Sequence, residues 1–141
     1  MNELLGSLRE INILSIIVRL TMAAICGGFI GYDRGRKRRP AGLRTHILVC
    51  IGSALVMITN QYIIDIMGYS SDPTRLGAQV ISGIGFLGAG TILITGKQQV
   101  KGLTTAAGLW ASACMGLAIG IGFYEGALIG CIFIFSDCWK V

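Results

Sequence analysis

The sequence has few charged residues and almost no proline. Asp, Glu, Lys and Arg make up 13% of its 141 residues, about half the share of roughly 25% that is usual in soluble domains. Only two prolines occur. A water-soluble domain of this size needs more polar surface, so the composition argues against a disordered chain, a nucleic-acid-binding domain and an ordinary soluble enzyme.

The sequence also lacks the residue groups that hold metals or carry out catalysis. Its five cysteines form no CxxC pair and lie mostly in apolar segments, which favours buried small side chains over disulfides or zinc ligands. His46 is the only histidine, and we expect it to be a polar anchor at the membrane interface rather than a metal ligand. We find no Ser–His–Asp arrangement and no paired catalytic carboxylates. These absences predict a non-enzymatic protein without a cofactor.

Long apolar runs take the place of the missing polar residues. Hydrophobic residues make up 53% of the chain, and the mean hydropathy is +0.71. Runs of about 20 apolar residues are long enough to cross a lipid bilayer as helices. The sequence therefore predicts an all-α transmembrane bundle that forms a single domain over residues 1–141. Its five predicted spans cover residues 11–31, 45–66, 76–95, 103–123 and 124–138.

Basic residues are concentrated on one side of these spans. Six of the 12 Lys and Arg residues lie between Arg34 and Arg44, in the loop that joins the first two spans. Over all segments, that side carries nine basic and two acidic residues, and the other side carries three basic and five acidic ones. Because basic loops stay in the cytoplasm, we expect the N-terminus outside and the C-terminus inside. The same cluster is compatible with binding to anionic lipid headgroups.

Glycine is abundant, with 21 residues, and it is concentrated in the apolar runs. The segment from Gly83 to Gly88 matches the GxGxxG pattern, but no acid follows it before Glu125, so a dinucleotide site is not expected. Bare glycine backbone in a membrane helix favours close helix packing and self-association. A broken helix that lines a cavity is the alternative interpretation. Similar ladders of small residues occur at Gly27/Gly31, Gly116/Gly120 and Gly122/Gly126/Gly130.

Arg19 lies inside the first predicted span, where a charge is costly unless it is satisfied. Asp65 and Glu125 lie at the ends of spans on the same side of the membrane. Either acid can pair with Arg19 to form a structural ion pair. The alternative is a polar vestibule for a cation or a proton.

The second and fourth predicted spans open with similar residues. Gly42-Leu43-Arg44-Thr45 begins one, and Gly102-Leu103-Thr104-Thr105 begins the other. An internal repeat explains this similarity, and so does shared chemistry at the start of a helix.

Four segments of the chain together resemble the MgtC/SapB family of bacterial inner-membrane proteins. They are AGLRTH at 41–46, the Gly52-Ser53 pair, the run from Arg75 to Gly90, and GLTTAA at 102–107 followed by Trp110. The resemblance extends over about residues 19–134. The positions that carry it are Gly42, Leu43, Arg44, Thr45, His46, Gly52, Ser53, Arg75, Gln79, Ser82, Gly83, Gly85, Phe86, Gly88, Gly90, Gly102, Leu103, Thr104, Thr105 and Trp110.

This resemblance implies a five-span domain in the bacterial inner membrane and a link to growth under magnesium limitation. In some members the family is associated with virulence, and an inhibitory contact with the F-type ATP synthase is attributed to that branch. Many members carry a soluble C-terminal domain. Since this sequence ends at Val141, we expect the membrane domain alone.

The sequence therefore supports two main functional hypotheses. The first is a non-enzymatic regulator that contacts another membrane complex through its glycine-rich helices and forms homo-oligomers in the lipid bilayer. The second is a small magnesium carrier or channel. Magnesium prefers oxygen ligands, and the few carboxylates lie near one side, which favours the regulator. A third interpretation, lipid binding or scaffolding, depends on the basic loop alone.

Overall fold

The described residues fold into six helices and one short hairpin. The computed structural model describes residues 2–94 and 99–140, with side chains except at 2, 5, 93–94 and 137–140. The helices are α1 (Asn2–Arg9), α2 (Ile13–Arg36), α3 (Leu43–Asp65), α4 (Arg75–Ala89), α5 (Leu103–Gly120) and α6 (Tyr124–Lys140). Strands β1 (Leu93–Ile94) and β2 (Val100–Lys101) pair antiparallel between α4 and α5.

Three of the helices are long and apolar enough to cross a membrane. They are α2, α3 and α5, with 24, 23 and 18 residues. At 1.5 Å per residue they measure about 36, 34 and 27 Å, close to the roughly 30 Å of a hydrocarbon core. The structure thus confirms a predominantly helical protein with three candidate membrane-spanning helices among the described residues, whereas five spans and their orientation remain predictions.

The bundle is built around close contacts of α3 with α2 and α5. Glycines on both neighbours make this approach possible. A Cβ atom on Gly27 of α2 would lie 2.8 Å from the His46 carbonyl oxygen, and one on Gly31 would lie 2.7 Å from the Leu43 Cα atom. A Cβ on Gly116 of α5 would lie 2.7 Å from the Ser53 Cβ atom. The backbones of the three helices therefore touch with almost no side chain between them.

Helix α2 begins at a well-defined capping box. The Asn12 side chain accepts a hydrogen bond from the Ser15 amide at 2.7 Å, and the Ser15 hydroxyl oxygen accepts one from the Asn12 amide at 3.1 Å. These bonds satisfy amides that a helix start leaves unpaired. The cap fixes where α1 ends and α2 begins, which positions the C-terminus of α1 beside α2.

Helix α4 is shorter than predicted. It ends at Ala89 after 15 residues, about 22 Å, and a turn leads into β1. The expected helix through residues 90–94 is therefore wrong, because Gly90, Thr91 and the strand pairing end the helical hydrogen bonds early. Residue 95, the predicted end of this span, and Lys97 in the loop lie outside the described residues. Gly102 joins the hairpin to α5 with a φ of +95°, a conformation that glycine adopts without strain.

Candidate functional site

Arg19 forms a buried polar cluster at one end of the bundle, which we call the Arg19 cluster. The side chain is completely buried in α2. It donates five hydrogen bonds, all to neutral oxygens. The acceptors are Gln61 Oε1 at 2.7 Å, Gly120 O at 2.8 Å, Arg9 O at 2.7 Å, Leu8 O at 3.1 Å and Tyr124 Oη at 3.2 Å.

Three of these acceptors are carbonyls at the ends of helices. Leu8 and Arg9 are the last residues of α1, and Gly120 is the last residue of α5. Helix C-termini carry unpaired carbonyls and a partial negative charge, so a cation is favourable there. The Tyr124 hydroxyl also donates to Leu8 O at 2.7 Å. Arg19 therefore joins the C-termini of α1 and α5 to α2.

The structure does not bring Arg19 together with either acid that the sequence suggested. Glu125 forms an ion pair with Arg9, and both of these side chains are about half exposed. Asp65 is exposed at the end of α3. In place of the expected ion pair, backbone dipoles and the Gln61 and Tyr124 side chains satisfy the charge of Arg19. Glu125 is linked to the cluster through Arg9, whose carbonyl accepts from Arg19.

A second polar cluster lies toward the opposite ends of α2, α3 and α5, and we call it the His46 cluster. His46 is completely buried, and its Nδ1 atom lies 2.8 Å from the hydroxyl oxygen of Ser112, which is also completely buried. Arg34 is 7% exposed, and its guanidinium donates a long hydrogen bond of 3.5 Å to Thr104 O. The neighbouring Asp33 is buried and pairs with Lys37 at 3.1 Å.

Gly108 of α5 lies beside both the His46 ring and the Arg34 guanidinium. A Cβ atom on Gly108 would lie 3.4 Å from His46 Cε1 and 3.9 Å from Arg34 Nε. The Cε1 atom of the ring therefore faces the same part of α5 as the guanidinium. A larger residue at this position would press on both side chains.

The His46 ring is incompletely satisfied. Its Nε2 atom is buried and has no hydrogen-bond partner among the described residues. The buried main chain of Ala41 lies beside the ring but completes no bond with Nε2. An unmade hydrogen bond at a buried polar atom costs about 1–3 kcal/mol. This cluster therefore retains one atom that can bind a ligand or a water molecule.

The burial of His46 corrects one sequence-based expectation. A polar anchor at the membrane interface would be exposed, whereas His46 lies inside the bundle with α2 packed over it at Gly31. Arg34, Gln61, Ser112 and Tyr124 were not singled out as site residues from the sequence. Polar residues within apolar helices, such as Ser112, are the signal that would have identified them.

The remaining motif positions divide between the interior and the surface. Ser53, Gly88 and Thr105 are buried, and Gly42, Thr45 and Gly102 are partly buried. The exposed positions are Leu43, Arg44, Gly52, Arg75, Gln79, Ser82, Gly83, Gly85, Phe86, Gly90, Leu103, Thr104 and Trp110.

The outer face of α4 holds most of the exposed motif residues. Only Gly77, Ile84 and Gly88 of this helix are buried, and Phe86 is 83% exposed. A Cβ atom on Gly83 or Gly85 would meet no atom within 4 Å. Within the described chain these two glycines face outward, so their expected part in close helix packing or self-association stays a prediction.

One large groove runs along the outside of the bundle between α2 and α6. Its volume is about 1080 Å³, and apolar residues such as Met22, Ile25, Phe29 and Ile132 line most of it. Phe29 and Phe135 meet edge to face, with ring centroids 6.3 Å apart. The groove contains neither His46 nor Arg19, so it is separate from both polar clusters. Within the described residues, no three His, Cys, Asp or Glu side chains are placed to hold a metal ion.

These features define a helical membrane protein with two buried polar clusters and a glycine-rich helix, α4, whose outer face is open. The model of the MgtC family matches residues 20–137. The chain therefore belongs to the MgtC family.

Several curated relatives are similar to this chain. It is 45% identical over 120 residues to the putative magnesium transporter YhiD of Escherichia coli (strain K12), an alignment that covers 82% of this chain and 55% of YhiD. It is 39% identical over 123 residues to the protein SapB of Bacillus subtilis (strain 168), covering 84% and 53% of the two chains. It is 43% identical over 117 residues to the protein MgtC of Brucella abortus (strain 2308), covering 83% and 47%.

The chain spans about half the length of these relatives. No solved structure matches it.

Proposed function

We propose that this chain is a non-enzymatic regulator in the bacterial inner membrane, and that it acts by direct contact of α4 with another membrane complex. The observation that carries this proposal is the open backbone at Gly83 and Gly85. Both glycines lie on the outer face of a helix whose inner face already packs on α5. Membership of the MgtC family supports a role in adaptation to magnesium limitation.

The chemistry of this face suits contact with a second helix. Glycines on a lipid-facing surface let another helix approach the backbone closely, and van der Waals packing drives such contacts in lipid. Gln79 and Ser82 lie on the outer side of the same helix and are exposed. Their polar groups can form hydrogen bonds with a partner helix, which are favoured where no water competes. The face thus offers both close approach and polar recognition.

The test is a single substitution on this face. Gly85→Leu places four carbons where a partner helix would lie but where this chain has no atom within 4 Å. We expect unchanged thermal stability of the purified protein and loss of the complex. The measurement is photo-crosslinking in native membranes, with a crosslinker at Ser82 and identification of the captured subunit. The resemblance described above makes the F-type ATP synthase the first partner to examine.

Gly52→Leu is the matched control. Gly52 is also exposed, and a Cβ atom there meets no atom within 4 Å, but it lies on α3 rather than α4. We expect this control to leave the crosslinked product unchanged. Capture of a second copy of this chain would instead support the predicted homo-oligomer. An identical crosslink pattern for wild type and Gly85→Leu would contradict the proposal.

The alternative function is magnesium transport, and the name of the relative YhiD favours it. Against it, two of the three charged residues buried in the described bundle are Arg19 and Arg34, and the third, Asp33, already pairs with Lys37. Buried positive charge repels a divalent cation unless acids surround it. We therefore expect liposomes that contain the wild-type protein and a trapped magnesium dye to show no flux above empty liposomes. Robust flux that Gly85→Leu leaves intact would support a carrier in place of the regulator.

A further inference from the structure

We propose that the His46 cluster is a binding site for a phosphoryl oxyanion, presented either by an anionic phospholipid headgroup or as free phosphate. The unpartnered Nε2 atom of the completely buried His46, together with the buried Arg34 guanidinium beside it, carries this inference. The site lies inside the bundle and is independent of the α4 face.

The charge of the cluster selects an anion. Asp33 is paired with Lys37, so Asp33, Arg34 and Lys37 together carry one positive charge. The guanidinium presents several N–H groups in a fixed planar fork that matches the oxygens of a phosphoryl group. A divalent cation would meet repulsion at the same place.

The His46 ring supplies a donor. Nδ1 is engaged by the Ser112 hydroxyl at 2.8 Å. When that hydroxyl donates to Nδ1, the neutral imidazole carries its proton on Nε2. Nε2–H then needs an acceptor, and Nε2 is bonded to Cε1, the ring atom that faces Gly108 beside the guanidinium.

Two helix starts lie beside this pair. The N-terminus of α3 packs on the last turns of α2, since a Cβ on Gly35 would lie 3.7 Å from the Leu43 amide nitrogen. The first turn of α5 accepts the Arg34 hydrogen bond at Thr104 O. Helix hydrogen bonding begins only with the amides of His46 and Ala106, which bond to Gly42 O and Gly102 O.

Both helices thus begin after a glycine, which has no side chain to cap them. Neither start has a side-chain cap. Uncapped helix N-termini present free amides and a partial positive charge, which favour phosphate. The similar openings of α3 and α5, Gly-Leu-Arg-Thr and Gly-Leu-Thr-Thr, therefore both present free backbone amides to the phosphoryl group.

The test uses the fact that the chain has one histidine. Protein labelled with ¹⁵N-histidine and purified with a tag that contains no histidine gives imidazole signals from His46 alone. In nanodiscs of phosphatidylcholine, sodium phosphate is titrated against sodium gluconate at matched ionic strength and pH. In a parallel arm without phosphate, phosphatidylglycerol replaces part of the phosphatidylcholine.

We expect a saturable shift of the His46 Nε2 resonance, and its source identifies the ligand. A shift with free phosphate in phosphatidylcholine indicates soluble phosphate, and a shift only with phosphatidylglycerol indicates a lipid headgroup. Equal responses to phosphate and gluconate, or no response in either arm, would overturn the proposal. Because the titration is made on the wild-type protein, the result does not depend on whether a variant folds.

Variants then locate the site. Arg34→Gln removes the guanidinium and should weaken binding. We expect the ligand concentration at half-saturation to rise about tenfold or more, as for loss of a charge-assisted contact. Arg36→Gln removes a charge two residues away on the exposed surface, and it should leave the titration within about twofold. Equal weakening by both substitutions would show general attraction by the basic loop and would contradict a built site.

Discussion

Glycines in α5 and α4 have opposite surroundings, although both pairs lie in apolar helices. On α5, Gly116 and Gly120 press against the backbone of α3, and a Cβ on Gly120 would lie 2.8 Å from the Ala54 Cα atom. On α4, Gly83 and Gly85 have open space around them. The missing side chains therefore allow close packing between α5 and α3, whereas on α4 they leave an open surface. We infer that α5 sets the stability of the fold, whereas α4 is available to a partner.

The largest expected effect is on the α5 side of this comparison. Gly116→Leu would drive its side chain into the Cys50 carbonyl and the Ser53 Cβ atom, and neither backbone can move without separating α3 from α5. Overpacking of this kind costs about 1–3 kcal/mol, and we expect the upper end because the contact is with backbone. Equilibrium unfolding in mixed micelles measures it.

Gly85→Leu, the same substitution on α4, is the matched control for Gly116→Leu. We expect it to change the free energy of unfolding by less than about 0.5 kcal/mol, as substitutions at open surface positions usually do. Equal destabilisation by the two substitutions would erase the distinction between the helices.

The next largest effect concerns the Arg19 cluster, which holds the end of α5. Arg19→Met keeps much of the apolar stem but removes the donors to Leu8 O, Arg9 O and Gly120 O. Leu8 O and Arg9 O keep their bonds from Tyr124 and Gln61, whereas Gly120 O loses its donor, so the bundle should be destabilised by about 1–3 kcal/mol. The loss of stability is measured by the temperature at which the buried Cys26 and Cys50 become reactive to a maleimide dye.

The exposed Arg36 supplies the reference for Arg19→Met. Arg36→Met should leave the unfolding temperature close to that of wild type. If Arg19→Met also left the unfolding temperature unchanged, the hydrogen bonds from the Arg19 guanidinium to the helix-end carbonyls would not stabilise the bundle.

The sequence predicts the helices better than it predicts what they touch. Apolar length is a local property, so α2, α3 and α5 are found within a few residues of the predicted spans. Glycine reports only that a side chain is missing, and nothing in the local sequence tells Gly116 from Gly85. The contact across α3 and α5 decides the difference, and it exists only in the folded chain.

The two polar clusters show the same limit. Arg19 was recognisable as a costly charge, but its main acceptors are backbone carbonyls, which have no signature in residue types. Acids were therefore the only partners that the sequence offered. His46 lies close to the start of its helix, where exposure is the usual expectation. Its burial follows from Gly31, which lets α2 cover that turn of α3.

A smaller effect tests how the chain between α3 and α4 is fixed. The Asn60 side chain is 3% exposed, and its amide donates to Pro73 O at 2.6 Å. Asn60→Leu keeps a similar volume but removes the donor, and loss of one such bond costs about 0.5–1.5 kcal/mol. Hydrogen exchange at the first turn of α4 should increase, while exchange in α5 stays unchanged. Faster exchange throughout α5 would mean that α4 and α5 unfold together.

The smallest effect lies in the same loop and depends on pH. The Thr74 hydroxyl and amide both donate to Asp72 Oδ1, at 2.7 and 2.8 Å, and these bonds lower the pKa of the Asp72 carboxyl below its usual value. A lowered pKa in the folded state means that ionised Asp72 favours folding. The contribution is therefore complete above the ordinary pKa of about 3.9 and is lost as the pH falls through the folded-state value. Since Asp72 is fully exposed, solvent screens the effect, and we expect only a slight fall in the unfolding temperature of wild type on acidification.

Thr74→Val removes the hydroxyl donor to Asp72 and should reduce this acid-induced fall in the unfolding temperature. Thr59→Val is the control, because the Thr59 hydroxyl bonds within its own helix. An acid-induced fall of the same size in wild type and Thr74→Val would show that the Thr74 hydroxyl does not link the loop before α4 to the stability of the bundle.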